Sequence, residues 1–450
     1  MNNNASFTRK IVYIVAIAIL MLPLAALSQP STEGAKGSAE GKSAGGTLST
    51  LRVKYGLSQA ELGEIDPASE TMKLSCLGMR GIAANILWLN AIEYKKKEDF
   101  DSLERTVNQL KRIEPNFLKV WDFQAHNLAY NTSVEFENYK HRYEWVKKGI
   151  RFLIEGTQYN RDEPGLLNQV GWFVGQKVGR ADENKQFRAM FRDDTHFHQE
   201  FEEQGVRVRE QAIGVDNKPD NWLASKLWYD KAIEAVSGGK PIRLKSSLHF
   251  YSGSPMALIN GAEAMEKDGT FGQRAKTAWD TALAAWISYG NRDLMSSGGF
   301  TIRLNSREAL DKEMKEVLAK MDSLDPGILE RMRQEAIGKL SDRFRAIHDK
   351  PAAERTPEEM ETYVYQIIPM LLPRPDEVAS RIKGDKRPLA RELADRLNDL
   401  GQVMRMTVNY CGQVSFDDWL ARCESEQTAE VLKARELIFE AEKEREKEQT

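Results

Sequence analysis

The sequence predicts an all-α protein: an α-solenoid of helical hairpins followed by a second helical region. Three observations carry that prediction. Only 15 prolines and 31 glycines occur in 450 residues, and they gather in a few segments, leaving long stretches free of helix breakers. Apolar residues recur at helical spacing in segment after segment. Helix-start signals stand ahead of several of these segments: Ser58 with Glu61, Asp66-Pro67, Ser254-Pro255, and Thr356-Pro357 with Glu359.

Arg9 and Lys10 precede an uncharged apolar run from Ile11 to Ser28 that ends in Ala26-Leu27-Ser28. A short basic region, an apolar run and small residues before a cut at Gln29 form the pattern of a secretory signal. The run is also just long enough to span a bilayer if it is retained. Residues 1–28 therefore read as a signal peptide or a signal anchor. The positive-inside rule puts the rest outside the cytoplasm, either at the periplasmic face of the inner membrane or free in the periplasm. No cysteine follows the run, so a lipoprotein anchor is excluded. Residues 29–55 are a flexible Gly/Ser-rich linker. Gly41-Lys42-Ser43 within it has the last three letters of a phosphate loop, but Lys36 stands where the first glycine is required.

Residues 56–304 read as the repeat domain. A first helix over about 79–97 is followed by a break at Glu98-Asp99 and a second helix over about 103–113, which Pro115 ends. If Pro115 closes a unit of about 34 residues, Leu87, Ala91 and Tyr94 take the first-helix packing positions and Leu103, Val107 and Leu110 the second-helix ones. That arrangement resembles a tetratricopeptide repeat (TPR), so the predicted architecture is a TPR-like α-solenoid. Trp121, Ala125 and Leu128 open the next unit at the same spacing. Its second helix, about 143–155, arrives late, and residues 131–142 read as an insertion. Further pairs start at Leu167, after Pro219, and at Ser254-Pro255. The nine tryptophans mostly sit at packing spacing and read as core. The glycine-rich stretch 289–304, with Phe300, Ile302 and Leu304 alternating, reads as a loop with a short strand and as the domain boundary. Residues 305–450 are the second helical region, with helices expected over 306–321, 326–348, 357–372, 388–408 and 426–446.

The stretch from Leu74 to Trp88, the segment Pro115-Asn116-Phe117 through Trp121 to Asn127-Leu128-Ala129-Tyr130-Asn131, Gly171-Trp172-Phe173, and Trp419-Leu420-Ala421-Arg422-Cys423-Glu424 are the most distinctive blocks. In them the chain resembles an uncharacterised group of exported or membrane-anchored bacterial proteins with degenerate TPR-like repeats, over roughly residues 70 to 440. The resemblance implies an envelope location and a helical-repeat fold, and no activity. Some members of the group carry an iron-responsive-element label. No iron–sulfur ligand set and no RNA-binding patch accompanies that label here.

Composition narrows the function classes. The formal net charge is −3, from 64 basic and 67 acidic residues interleaved along the helices, which argues against a nucleic-acid partner. Gly-x-Ser-x-Gly, His-Glu-x-x-His and Gly-x-Gly-x-x-Gly are all absent. Ser237-Gly238-Gly239-Lys240 matches an acyl-transfer spacing but reads as a helix stop and turn. Asp194, His196, His198 and Glu200 are the best metal candidates, on an extended loop or with His196 and Glu200 on one helix face. The bland reading of the same residues is a polar inter-helix segment. Cys411 and Cys423, 12 residues apart, are either a disulfide or two separately buried thiols. In a helical-repeat array the first helices line the concave face, so His126, Asn127, Tyr130, Asn131, Gln176 and Lys177 are the candidate partner-binding residues. Solvent exposure or helix capping is their bland reading. The expectation is a non-catalytic scaffold binding protein partners of the cell envelope, without a cofactor. The chain would meet the membrane through residues 1–28 if they are retained, and self-association through the charged C-terminal helices is open. The alternatives are an envelope hydrolase with an unrecognised carboxylate site and a metal-binding protein using the His196/His198 loop.

Overall fold

The computed structural model describes residues 80–448. The signal segment, the linker, Cys76 and the start signals at Ser58 and Asp66 lie outside the described residues. The described residues are mostly helical, 78% helix against 2% strand. Among the described residues no helix is long and apolar enough to cross a membrane. Contacts divide the chain into two compact units, one of residues up to Ser246 with Met256–Ala264, the other of Ser247–Pro255 with Met265 onward.

The first unit opens with α1 (Arg80–Lys96) and α2 (Phe100–Ile113). Glu98 adopts a positive φ of 56°, and Asp99 caps α2 by accepting from the Ser102 N–H at 3.0 Å. That is the expected break between hairpin arms. Ala84, Ala91, Leu103, Val107 and Leu110 are buried together, with Leu87 and Tyr94 packed against them, so the helical pair closes through the anticipated residues. The small side chain of Ala91 lets the two backbones approach, and the large ones fill the space on either side. Ile82, Ile86 and Leu89, on another side of α1, are exposed.

Next come α3 (Leu118–His126), a π turn (Asn127–Asn131) and a 3₁₀ turn (Thr132–Glu135), then α4 (Tyr139–Tyr159). A Cβ on Gly149 of α4 would stand 2.8 Å from Ala125 O and 2.9 Å from Ala129 Cβ, so only glycine permits this crossing. Lys111 on α2 reaches Glu155 on α4 at 2.8 Å. α5 (Pro164–Trp172) starts on a proline, whose missing N–H costs nothing at a helix start. It continues into a second π turn (Phe173–Lys177). α6 (Asn184–Asp193), α7 (Thr195–Glu203) and the short α8 (Val208–Gln211) follow. α9 (Asn221–Ser237) is capped by Asp220, which accepts from the N–H groups of Trp222 and Leu223. It ends at Gly238-Gly239, where Gly239 takes φ +96°, the stop that the sequence indicates. Gly171, Gly175 and Gly179 recur every fourth residue and face Trp222, Ser225 and Tyr229 of α9.

The second unit takes in α10 (Ser247–Tyr251) and the ends of α11 (Gly253–Lys267), whose middle belongs to the first. α12 (Gln273–Gly290) and a hairpin of β1 (Leu294–Met295) with β2 (Thr301–Ile302), paired Leu294 to Ile302, come next. Then follow α13 (Arg307–Leu324), α14 (Ile328–Gly338), α15 (Asp342–Asp349), α16 (Pro357–Thr362), a π turn (Tyr363–Ile367), α17 (Ile368–Leu371), α18 (Pro375–Arg381), α19 (Arg387–Gln413), α20 (Phe416–Glu426) and α21 (Ala429–Glu448). The helix expected over 326–348 is two helices, because Gly338 ends α14 and the Ser341 hydroxyl caps α15 by accepting from the Phe344 N–H. Thr356 and Glu359 form the expected capping box. α18 and α20 are helices that the sequence reading passed over.

The expected boundary at 304 does not coincide with the division into units. Trp286 of α12 stacks on Phe416 with centroids 5.5 Å apart, and its Nε1–H donates to Phe416 O at 3.0 Å. A Cβ on Gly290 would meet the same ring. α12 thus packs on residues from the C-terminal region, a pairing that local periodicity does not register.

Candidate partner-binding groove

The two π turns carry five of the six candidate partner-binding residues, and the sixth, His126, immediately precedes the first of them. In the first turn the Thr132 N–H reaches back five residues to Asn127 O. The additional residue per turn rotates the helix end, and Tyr130 lands beside the second π turn. There it meets Trp172 at 5.7 Å, stacked, and Phe173 at 5.7 Å, edge-on. His126 stacks on the other side of Tyr130, with centroids 4.5 Å apart and planes 10° from parallel. Lys177 Nζ sits 4.4 Å from the Tyr130 ring centroid, a cation–π contact in a desolvated setting. Burial lowers the Lys177 pKa, with the Glu183 carboxylate opposing, and burial raises that of Tyr130. His126 is lowered first by desolvation and then by the Lys95 charge, against the pull of Asp122. Asn127 is buried, and its Oδ1 accepts from Asn131 Nδ2 at 3.0 Å, which links the two amides. Gln176 is half-buried next to Lys177.

His126 also borders a cleft of about 510 Å³, lined by Trp88, Lys95, Lys119, Asp122, Phe123, Gln169, Trp172, Phe173 and Lys245 as well. α1, α3, α5 and the segment after α9 each contribute. The wall is aromatic. Trp88 lies 5.1 Å from Phe123, edge-on, and Lys95 Nζ stands 4.9 Å from the Phe123 centroid. Gln169 Nε2 donates to Asp122 Oδ1 at 2.6 Å, and Lys119 pairs with Asp122 at 4.0 Å. Trp121, Trp222 and Trp228 are core, as their spacing indicates. Trp88 is half-buried against the core of the first hairpin, as its spacing indicates, and also lines the cleft, whereas Trp172 is half-buried cleft wall. Lys245 lay beyond the reach of spacing arguments because it comes from an irregular segment.

The metal candidates disperse. Residues 195–203 form α7, not an extended loop, so side chains two apart point to opposite sides. His196 is 81% exposed, with Nδ1 2.9 Å from Glu200 Oε1, while His198 is buried against the Phe191 ring at 4.9 Å. Arg151 holds both oxygens of Glu200 at 2.7 Å. Asp194 caps α7 through the Phe197 N–H at 3.1 Å and pairs with Lys147 at 2.7 Å. Among the described residues no three His, Cys, Asp or Glu side chains gather as a metal site.

Cys411 and Cys423 are free thiols, both buried. Burial raises the Cys411 pKa, and that of Cys423 is pushed up to about 11, which suppresses the reactive thiolate. Alkylation at pH 8 is therefore expected to leave both unlabelled in the native chain and to label both after unfolding without reductant. Peptide mass spectrometry checks this, and labelling that needs reductant would show that they are bridged.

No known protein family, curated protein or solved structure matches this chain.

Proposed function

We propose that this chain is a non-catalytic interaction scaffold of the cell envelope, a TPR-like array whose first unit grips a protein partner. One observation supports this above the others. Aromatic side chains from three successive first helices, Trp88, Phe123 and Trp172, converge on one cleft beside the His126–Tyr130–Lys177 stack. Partly exposed tryptophan and tyrosine next to cations is the composition of an interface hot spot. The hydrolase alternative asks for two carboxylates in one cleft, whereas Asp122 is the one carboxylate lining this one among the described residues. Export rests on the Arg9-Lys10 and Ile11–Ser28 pattern.

The test is a cross-linked pull-down from native membranes with the full chain as bait. One or a few stoichiometric envelope proteins are expected, lost when Tyr130 and Trp172 are both changed to Ala. Recovery of the bait alone, as monomer, sinks the scaffold reading.

A further inference from the structure

Lys245 sets an anionic requirement on whatever enters the cleft. Its ammonium has three donors. One goes to Asn168 Oδ1 at 2.7 Å, the amide of a fully buried asparagine on α5. Among the described residues no carboxylate pairs with it, although it is half-buried at the cleft wall. Burying a cation without a paired counter-ion is costly, and among the described residues Lys245 feels the Asp122 charge without a direct ion pair. The nearby Asp122 carboxylate is already engaged by Gln169 and Lys119. Lys95 and Lys119 line the same opening, so three lysines face one aspartate. An acidic group entering here meets cations, and a basic one is repelled. The half-buried faces of Trp88, Phe123 and Trp172 leave apolar surface beside these charges.

We propose that this cleft binds an acidic segment of a partner protein, seating a carboxylate on Lys245 Nζ and a neighbouring aromatic side chain against Trp88, Phe123 and Trp172. This deepens the scaffold reading above and rests on it for the partner being a protein. Pairing favours the charged ammonium. Burial has already pushed the Lys245 pKa down to about 8, with Asp122 opposing. Affinity for the carboxylate therefore falls as pH rises through that range. Among the described residues the other titratable groups facing the cleft are Lys95 on α1 and Lys119, Asp122 and His126 on α3.

The experiment uses the full chain and two labelled decapeptides, one mixing Asp and Glu with Phe and Trp, the other with Asn and Gln in place of the acids. Fluorescence anisotropy at pH 7 and pH 9.5 reads the affinities. The acidic peptide should bind tighter by about 10-fold or more, and its affinity should fall at the higher pH. Lys245→Met should abolish the preference. Lys245→Arg, charged at both pH values, should keep the preference and lose its pH dependence. Circular dichroism and the melting temperature confirm that both variants fold. Equal binding of the two peptides, binding of neither, or a preference that survives Lys245→Met overturns the proposal. The membrane pull-down separates this failure from that of the scaffold reading. A partner captured equally by wild type and Lys245→Met leaves the scaffold and removes the carboxylate subsite. An acidic-peptide preference through Lys245 in a chain that captures nothing does the reverse.

Discussion

Replacing Trp121 by alanine is expected to destabilise the first unit by about 3–5 kcal/mol, the range for emptying a fully buried aromatic site. The ring is 0% exposed. It lies 4.9 Å from Phe152 and stacks at 5.6 Å on Tyr159, both on α4. Gly156 is the floor of the slot, since a Cβ there would come within 2.8 Å of Trp121 Cδ2. The ring therefore joins α3 to α4, and its Nε1–H donates to Pro115 O at 2.8 Å, fixing the turn after α2. Alanine removes all of this, and α4 cannot collapse into the space while Gly149 already holds it against Ala125 and Ala129. Trp121→Phe is the informative control. Pro115 O keeps the Asn160 Nδ2 donor at 2.9 Å, so no buried carbonyl is orphaned, and the expected cost drops to about 1–2 kcal/mol. Calorimetry of the full chain checks both, with the Ala variant's first-unit transition lower by roughly 10 °C. A shift of only a degree or two for the alanine variant would show that the ring does not pin this hairpin.

Gly175→Val should cost about 1–3 kcal/mol by overpacking, with a large share of the loss traceable to Ser225. An added Cβ would stand 2.7 Å from Ser225 Oγ and 3.1 Å from Trp222 Cζ3. Trp222 is buried and has no room to retreat. The Ser225 hydroxyl donates to Gly171 O at 2.6 Å, so turning it away gives up a buried hydrogen bond. The smaller substitution Gly175→Ala tests the mechanism through a double-mutant cycle with Ser225→Gly. Removing the serine side chain should recover a large share of the alanine cost. Additive losses would mean that the clash lies elsewhere. Because Gly175 sits in the π turn beside Tyr130 and Lys177, the valine variant is also expected to weaken partner capture.

The candidate groove was partly legible in the sequence. His126, Tyr130 and Lys177 were placed near helix ends by spacing, and the structure brings them into one stack. The π turns that make this possible were not legible, because Asn127–Asn131 and Phe173–Lys177 hold no proline or other local signal for a change of register. Nor was the aromatic wall, since a tryptophan at packing spacing looks the same whether its outer face meets another helix or an open cleft. The histidine–carboxylate run at 193–200 misled for a related reason. Spacing brings ligands together on paper, whereas α7 turns His198 inward to Phe191 and gives Asp194 and Glu200 to Lys147 and Arg151.

By itself the sequence determined the helical class, the helix that begins after Pro219, the capped start at Thr356, the stop at Gly238-Gly239, and the residues that close the first hairpin. Those features depend on interactions within a few residues along the chain, where periodicity and capping chemistry act directly. Only the tertiary structure decided that Trp286 meets Phe416, where the units divide, and that Lys245 stands beside Asn168 and Asp122 at the wall of an aromatic cleft. Such pairings join segments tens of residues apart. They are set by which apolar faces find each other when the whole chain collapses, and no local spacing encodes that choice.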